Sequence, residues 1–563
     1  MFSRPFVLFF LSWLILGCGR QECAYHPNEK SDYSALDCSP KLSTPFRLGV
    51  NPGYYPKNKD YAQGTRWSDI DLATKIQETG FSTFRPALFA SILSYYGRDV
   101  KKAEYEHSEA IGLRDVVLFL SGGWEVAGDA GGDRDAQNYG CAEASKSFRG
   151  LHLPIWVNGK ANPENRYAAY VEEVLQGYGD KVKILEVWNE PDLLSNDLLA
   201  HRYDYGGNLQ ADSWWTRDPA PCELLNLYAP IETYVRLLRV TYELTRAYNR
   251  VHGRHLLVAT GGIGYPSFLN AILEKTDNPD AGKVDAAHPF KGGAYFDLLS
   301  YHSYPFFMNY EVDRGKGINV VVSRDGAKAY ARHSDHLKDH PVFLLEDLSS
   351  VLRSHGFDGK TYPEKKAIVT EIGMHDAAWS LGTVDYSSTV QLQINTVIKS
   401  LAAMVRSGVA QVHLYKLGSH QTPGSGIRAD VWGELEGGLW SSFGILDDLT
   451  ARGPSRARLT PLGRAVALWA KELSDVWYDE VATGQLGLPS NMDGIAFSTD
   501  WGERKIVVWA KSTVDRSESA EAAYRLPKTW FSRSVTAESF EGVPIEILAG
   551  TIHLRSADPV LIH

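Results

Sequence analysis

The residues best placed to do chemistry are two glutamates, each closing an apolar run. Ile184-Leu185-Glu186-Val187 leads into Trp188-Asn189-Glu190-Pro191, and Ala367-Ile368-Val369-Thr370 leads into Glu371-Ile372-Gly373. A run that ends this way reads as a buried strand delivering a carboxyl group to a rim. Pro191 stops the first strand, because it has no N–H for a ladder and biases Glu190 toward an extended backbone. A glutamate there works as a general acid when its surroundings raise its pKa. Two carboxyls at one mouth suit cleavage of a glycosidic bond. An ionised one attacks the anomeric carbon while a protonated neighbour protonates the leaving oxygen. A separation of roughly 5–5.5 Å between them means retention of configuration.

Positions 190 and 371 need a scaffold that brings them together. From about residue 46 to 473, short β-type runs alternate with helical stretches. The runs are Phe46 to Val50, Phe81 to Pro86, Val116 to Leu120, Ile184 to Trp188, Leu256 to Thr260, Phe296 to Tyr301, Ala367 to Thr370 and Ala410 to Leu417. Ser68 to Gly80 reads as a helix, with Ser68 as N-cap, Asp71 in the first turn, apolar Ile70, Ala73 and Ile76, and Gly80 at the stop. Further helices are expected over about 164–177, 231–248 and 386–406. Eight apolar runs, each followed by a helix or long loop, predict an α/β fold, a parallel (β/α)8 TIM barrel. No Gly-x-Gly-x-x-Gly turn follows the first run, as a doubly wound dinucleotide fold would require. In a barrel the C-terminal strand ends form the active face. The fourth and seventh runs therefore place Glu190 and Glu371 at one mouth. Inserts at about 121–162, 191–230 (with Trp214-Trp215) and 264–294 would wall it. After Leu473 β-type runs take over, with Gly494 to Ser498 and Lys505 to Lys511 flanking a turn at Asp500-Trp501-Gly502-Glu503. A β-sandwich over 474–563 is expected.

Composition agrees with two folded domains. The 563 residues are too many for one core. Charged residues at 22% and hydrophobic ones at 44% fit a globular protein. A net charge of −10 gives no reason to expect nucleic acid or an anionic membrane surface as partner. Aromatic residues reach 12%, with 15 Trp and 29 Tyr, and aromatic faces suit the C–H faces of sugar rings. Arg4 and the apolar stretch Phe6 to Leu16 read as a secretion signal, the stretch being too short for a mature transmembrane helix. Ile15-Leu16-Gly17-Cys18 resembles a bacterial lipobox, so Cys18 would carry a lipid, residues 1–18 would be the signal and 19–45 a tether. A plain signal peptide and a secreted protein is the other reading. Cys23, Cys38, Cys141 and Cys222 then remain, and four cysteines allow three pairings. Cys23 with Cys38 would staple the tether, and Cys141 with Cys222 would tie two long loops. No Cys-x-x-Cys or clustered His pattern points to a metal, and no organic cofactor is implied.

With both motifs placed, the chain resembles a retaining glycoside hydrolase of clan A over most of residues 46–473. That group puts its acid/base after an Asn at the end of strand four and its nucleophile at the end of strand seven. Trp188-Asn189-Glu190-Pro191 and Thr370-Glu371-Ile372-Gly373 match those motifs residue by residue. A barrel followed by a β-sandwich is most like family 39, with families 5 and 30 as near alternatives. The resemblance implies that Glu190 is the acid/base, Glu371 the nucleophile and Asn189 a partner of the sugar 2-hydroxyl. Ser300-Tyr301-His302-Ser303-Tyr304-Pro305 matches a His-x-Tyr pattern of strand six, implying Tyr304 on the nucleophile and His302 lining the sugar site. Arg85, closing strand two, would hold the nucleophile ionised. Strand eight departs from the pattern. His413-Leu414-Tyr415-Lys416-Leu417 stands where many members carry a Trp, so Tyr415 or Lys416 would reach the sugar, or Trp432 or Trp440 would enter from the next loop. Glu346 falls on a helical pattern as a surface charge, Glu186 lies deeper on the same side as Glu190, and Glu125 and Asp129 are auxiliary candidates. The function so implied is hydrolysis of a β-linked glycan by double displacement. The competing readings are a transglycosylase using the same covalent intermediate and a non-catalytic surface glycan-binding lipoprotein.

Overall fold

In the computed structural model, nine strand segments form one parallel sheet. Their order is Thr83–Phe84, Arg47–Val50, Gln411–Leu414, Lys366–Ile372, Leu298–Ser303, Leu257–Ala259, Ile184–Val187, Val117–Ser121 and Ala87–Phe89. The two outermost segments are consecutive in the chain, separated only by Arg85 and Pro86. They are halves of one strand. The first half pairs with strand one and the second with strand three. Arg85 N–H still donates to Val50 O at 3.1 Å, while Phe119 N–H already donates to Pro86 O at 3.1 Å. Pro86 has no N–H to lose where the strand leaves one neighbour for the other. The sheet is therefore closed, an eight-stranded (β/α)8 barrel whose second strand is split. The structure describes residues 45–52, 69–121, 150–192, 227, 231–308, 331–378, 380–381, 384–385, 387–418, 442–447, 449–474, 476–527 and 535–563. The leader, all five cysteines, Ser68, Trp214-Trp215, Glu125, Asp129, Trp432 and Trp440 lie outside these residues.

Strand alternation divides each barrel strand between two cores. Leu118, Leu120, Leu185, Val187, Val258, Leu299, Tyr301 and Val369 face the surrounding helices and join the main core. Val117, Ile184, Leu257, Ala259, Leu298 and Ile368 form a separate cluster that plugs the barrel interior. Next along the same inward rows come Glu186, Ser300 and Thr370, all buried and polar. The interior thus changes from apolar to polar toward the C-terminal strand ends.

Local sequence explains where the helices start and stop. Asn165, Thr389 and Thr460 cap Arg166–Tyr178, Val390–Arg406 and Pro461–Leu473, each side-chain oxygen accepting a backbone N–H three residues on. The helix expected from Tyr386 begins only at Val390, because Thr389 captures its first turn. The 264–294 segment does not serve only as a wall. Its helix Pro266–Glu274 packs on Ile231–His252 and His340–Ser354, outside the barrel. Glu346 is exposed on that last helix, as expected.

Beyond Leu473 the chain is antiparallel. A five-stranded sheet (Trp477–Tyr478, Met492–Ser498, Arg504–Ala510, Val560–Ile562, Ala537–Ser539) faces a three-stranded one (Ala522–Arg525, Thr551–Leu554, Ile547–Leu548). Ile506, Val508 and Ala510 meet Tyr524, Ile552 and Leu554 between the sheets. Val507 and Trp509, on the opposite face, join the barrel core. Trp469 of the last barrel helix packs on Phe497 and Phe540 there. One short helix, Glu480–Gly484, interrupts the β pattern, capped by Asp479.

Candidate active site

Two backbone irregularities aim the glutamates. Strand seven carries one extra residue against strand six: Val369 pairs with Tyr301, but Glu371 pairs with His302. This bulge lets consecutive Thr370 and Glu371 both reach the barrel mouth, which strict alternation forbids. At the end of strand four, Trp188 and Glu190 take left-handed φ angles of 75° and 44°. Glu190 N–H donates to Gly261 O at 2.6 Å, which holds that turn. Gly261 and Gly262 are required beside it. A Cβ on Gly261 would meet Val187 O at 2.3 Å, and one on Gly262, itself at φ +67°, would meet His302 Nε2 at 2.1 Å.

Glu371 is buried among donors. Arg85 Nη1 donates to its Oε1 at 2.7 Å, and Asn51 Nδ2 to the same oxygen at 3.2 Å. Tyr304 O–H donates to Oε2 at 2.5 Å. Both oxygens act as acceptors, the set of partners a carboxylate nucleophile needs. Arg85 also donates through Nε to Glu186 at 2.5 Å and through Nη2 to Asn189 Oδ1 at 2.8 Å. The last contact turns the Asn189 amide so that its N–H side points away from the guanidinium.

Glu190 stands in different surroundings. Its Oε1 is 2.7 Å from His302 Nδ1, and its side chain keeps 23% exposure. Burial pushes its pKa up to about 7; Arg85 pulls against that rise and Glu186 adds to it. Burial pulls His302 down to about 4, with Glu371 opposing and Arg85 assisting, so its imidazole is neutral at pH 7. One oxygen of each glutamate and a ring nitrogen of His302 all lie within 4.8 Å of one another. So near an approach of two carboxyl oxygens suits the roughly 5–5.5 Å separation of retention better than the roughly 6.5–9.5 Å that leaves room for an attacking water. The same three groups make a poor cation site. Both Glu371 oxygens are already engaged, and the Arg85 charge 2.7 Å away repels a second cation.

The structure brings Arg85, Asn189, Glu190, His302, Tyr304 and Glu371 together. Tyr415 joins through its ring, edge-on to Tyr304 at 6.2 Å between centroids. Lys416, linked to it by a cis peptide, is buried with Nζ 5.6 Å from the centre of the Tyr415 ring. Sequence reading missed Asn51, Thr370, Ser300 and Asp192, and it undervalued Glu186. Glu186 accepts from Arg85, from Ser300 Oγ at 2.6 Å and from Thr370 Oγ1 at 2.7 Å. A glutamate inside an otherwise apolar strand was the available signal. Asp192 accepts from Gly264 N–H at 2.8 Å and Tyr265 N–H at 2.9 Å, tying the loop after strand five to the turn that carries Glu190. Burial pushes Asp192 up to about 7 despite those donors.

No protein-family model matches the chain, and no curated protein matches it. Among solved structures it is similar to the catalytic domain of GH30 xylanase C from Talaromyces cellulolyticus, at 11% identity and a TM-score of 0.47, covering 92% of this chain and 98% of that one. A glucosidase from Croceicoccus marinus gives 11% identity and 0.46, covering 92% and 95%. The GH51 arabinofuranosidase from Xanthomonas axonopodis pv. citri gives 11% and 0.43, covering 92% and 96%. Such distant likeness leaves the reading of the site to its own geometry.

Proposed function

We propose that this chain is a retaining glycoside hydrolase that cleaves a β-linked glycan by double displacement. The observation that carries the reading is a pair of carboxyls, one oxygen of each within 4.8 Å of the other, whose surroundings differ. Glu371 is encircled by donors, as suits a nucleophile. Glu190, pushed up to about 7, is suited to hold a proton for the leaving oxygen. Glu371 attacks the anomeric carbon, and Glu190 protonates the departing oxygen. Glu190 then takes a proton from the water that releases the sugar from Glu371. Asn189, His302, Tyr304, Arg85, Tyr415 and Lys416 frame the sugar site. Placement nearest family 39 rests on the two motifs and the barrel-then-sandwich order. The test is product stereochemistry. Across aryl β-glycosides and polysaccharides, proton NMR of freshly released sugar should show the β anomer first; the α anomer appearing first contradicts double displacement.

We also infer export and a lipid anchor at Cys18, supported by Arg4, the apolar Phe6 to Leu16 and Ile15-Leu16-Gly17-Cys18. Cys18→Ala should shift the protein from the membrane to the soluble fraction of a bacterial host. Identical partitioning of the two forms rejects the anchor.

A further inference from the structure

Glu186 touches neither the cleft nor either catalytic carboxyl, yet it sits at the root of both. Its side chain is fully buried and paired with Arg85 Nε at 2.5 Å. A buried carboxylate held by a guanidinium only accepts hydrogen bonds. Its Oε1 takes two hydroxyls, Ser300 Oγ at 2.6 Å and Thr370 Oγ1 at 2.7 Å; the hydroxyls also lie 2.7 Å from each other, but the carboxylate is the stronger acceptor and draws the proton of each. A hydroxyl has a single proton. Thr370 Oγ1 is also 3.0 Å from His302 Nε2, so there it must accept. His302 therefore carries its proton on Nε2, and Nδ1 presents a lone pair. That lone pair lies 2.7 Å from Glu190 Oε1, a contact that needs a proton from Glu190.

We propose, resting on the glycosidase reading above, that Glu186 is a positioning residue which, through Thr370 and His302, holds the acid proton on Glu190. A second arm of the same carboxylate runs through Arg85 to Glu371 and Asn189. One buried group thus sets the nucleophile's partner and the acid's protonation together. In the first step the Glu190 O–H bond breaks as the leaving oxygen gains that proton and the electron pair of its bond to the anomeric carbon. The bond from Glu371 to that carbon forms. The bare Nδ1 then faces a carboxylate and favours its reprotonation by the attacking water in the second step. Glu371 departs with its electron pair. Ser300 supports the chain by donating to Glu186 Oε1 at 2.6 Å. The burial that keeps His302 neutral agrees with a ring bearing one proton.

Among the described residues, the titratable and charged groups facing the Glu190–His302 pair are Arg85 from strand two, Glu186 and Asp192 from strand four and its loop, Tyr304 from strand six and Glu371 from strand seven. Tyr415 and Lys416 from strand eight lie beyond Tyr304. A change at Thr370 leaves all of them in place. Thr370→Val removes the acceptor for Nε2–H and frees His302 to place its proton on Nδ1, where it would donate to a Glu190 carboxylate. The alkaline limb of kcat/KM, set by Glu190, should then move down by about one pH unit. Thr370→Ser, which keeps the hydroxyl, should hold the limb at the wild-type pH. A purely structural threonine would lower kcat/KM without moving the limb. The tautomer is read without turnover from nitrogen-15 histidine spectra of the full chain, with His302 assigned by its loss in His302→Gln. Wild type and Thr370→Ser should show a protonated Nε2 and a bare Nδ1. A wild-type proton on Nδ1, or an unmoved limb in Thr370→Val, overturns the proposal. Because the spectrum needs no substrate, it tests the relay even if no glycan is hydrolysed, an outcome that would count against the function alone.

Discussion

Two buried charge networks in this protein look alike and do different things. One lies at the barrel mouth around Arg85 and Glu186. The other lies at the seam between barrel and sandwich, around Asp335, Lys399 and Glu518. At the seam, Lys399 Nζ meets Asp335 Oδ2 at 2.8 Å, with both side chains nearly inaccessible. The other Asp335 oxygen accepts from Trp509 Nε1 at 2.8 Å, and Ser512 N–H donates to Oδ2 at 2.8 Å. Glu518 accepts from Ser334 and Asn395 through both of its oxygens. Every oxygen of both carboxyls has a donor. At the mouth, among the described residues, Glu190 Oε2 takes no hydrogen bond, and the group is pushed up to about 7. A buried charge network is thus not by itself a site; an acid left short of partners beside a fully partnered one is.

The contrast is sharpest in variants of each network. Glu371→Ala should lower kcat by on the order of 10^4-fold or more, with azide restoring turnover as a glycosyl azide of inverted configuration. Its melting temperature should stay near wild type, since Arg85 keeps Glu186. Near-native activity in this variant would remove Glu371 from its role. At the seam the effects should exchange. Lys399→Met leaves Asp335 buried without its cation and should cost about 3–5 kcal/mol in chemical denaturation, while kcat/KM of the folded protein stays at wild type. If Lys399→Met instead changes kcat/KM and spares stability, the two networks are not separate in purpose.

The pH dependence follows from Glu190. With its pKa at about 7, kcat/KM should fall above about pH 7, and Glu190→Gln should lose most turnover on poor leaving groups while sparing glycosylation by activated aryl glycosides. Stability also declines with rising pH, in a lower window. Between the ordinary value of 4.5 and about 7, the native state holds a proton that the unfolded chain has lost, so this group's contribution to stability declines as pH rises through that window. Glu190→Gln should therefore melt higher than wild type at pH 8 and no higher at pH 4. The smallest effect belongs to a residue in neither network. Thr460 caps the last barrel helix through Gly463 N–H at 3.0 Å, and Thr460→Ala should cost about 1 kcal/mol with activity unchanged.

Much of this was legible in the chain. Apolar runs ending in polar residues located the barrel strands, because a parallel strand buried on both faces has little other way to be written. Glu190 and Glu371 followed from position alone. Illegible were the features that depend on departures from regular geometry. The bulge at strand seven brings Glu371 inward beside Thr370, and alternation assigns them opposite faces. The split at Arg85-Pro86 closes the barrel and turns one arginine toward three partners. Asn51 and Asp192 matter through contacts with residues far away in the chain, and no local spacing encodes those.

The claim that the two carboxyls divide the work is tested most directly by trapping. The protein would be incubated with a panel of 2-deoxy-2-fluoro-β-glycosyl fluorides, digested and sequenced by mass spectrometry. The division of roles predicts one covalently held fluorosugar, on Glu371. A label on Glu190 or on any other residue would contradict it.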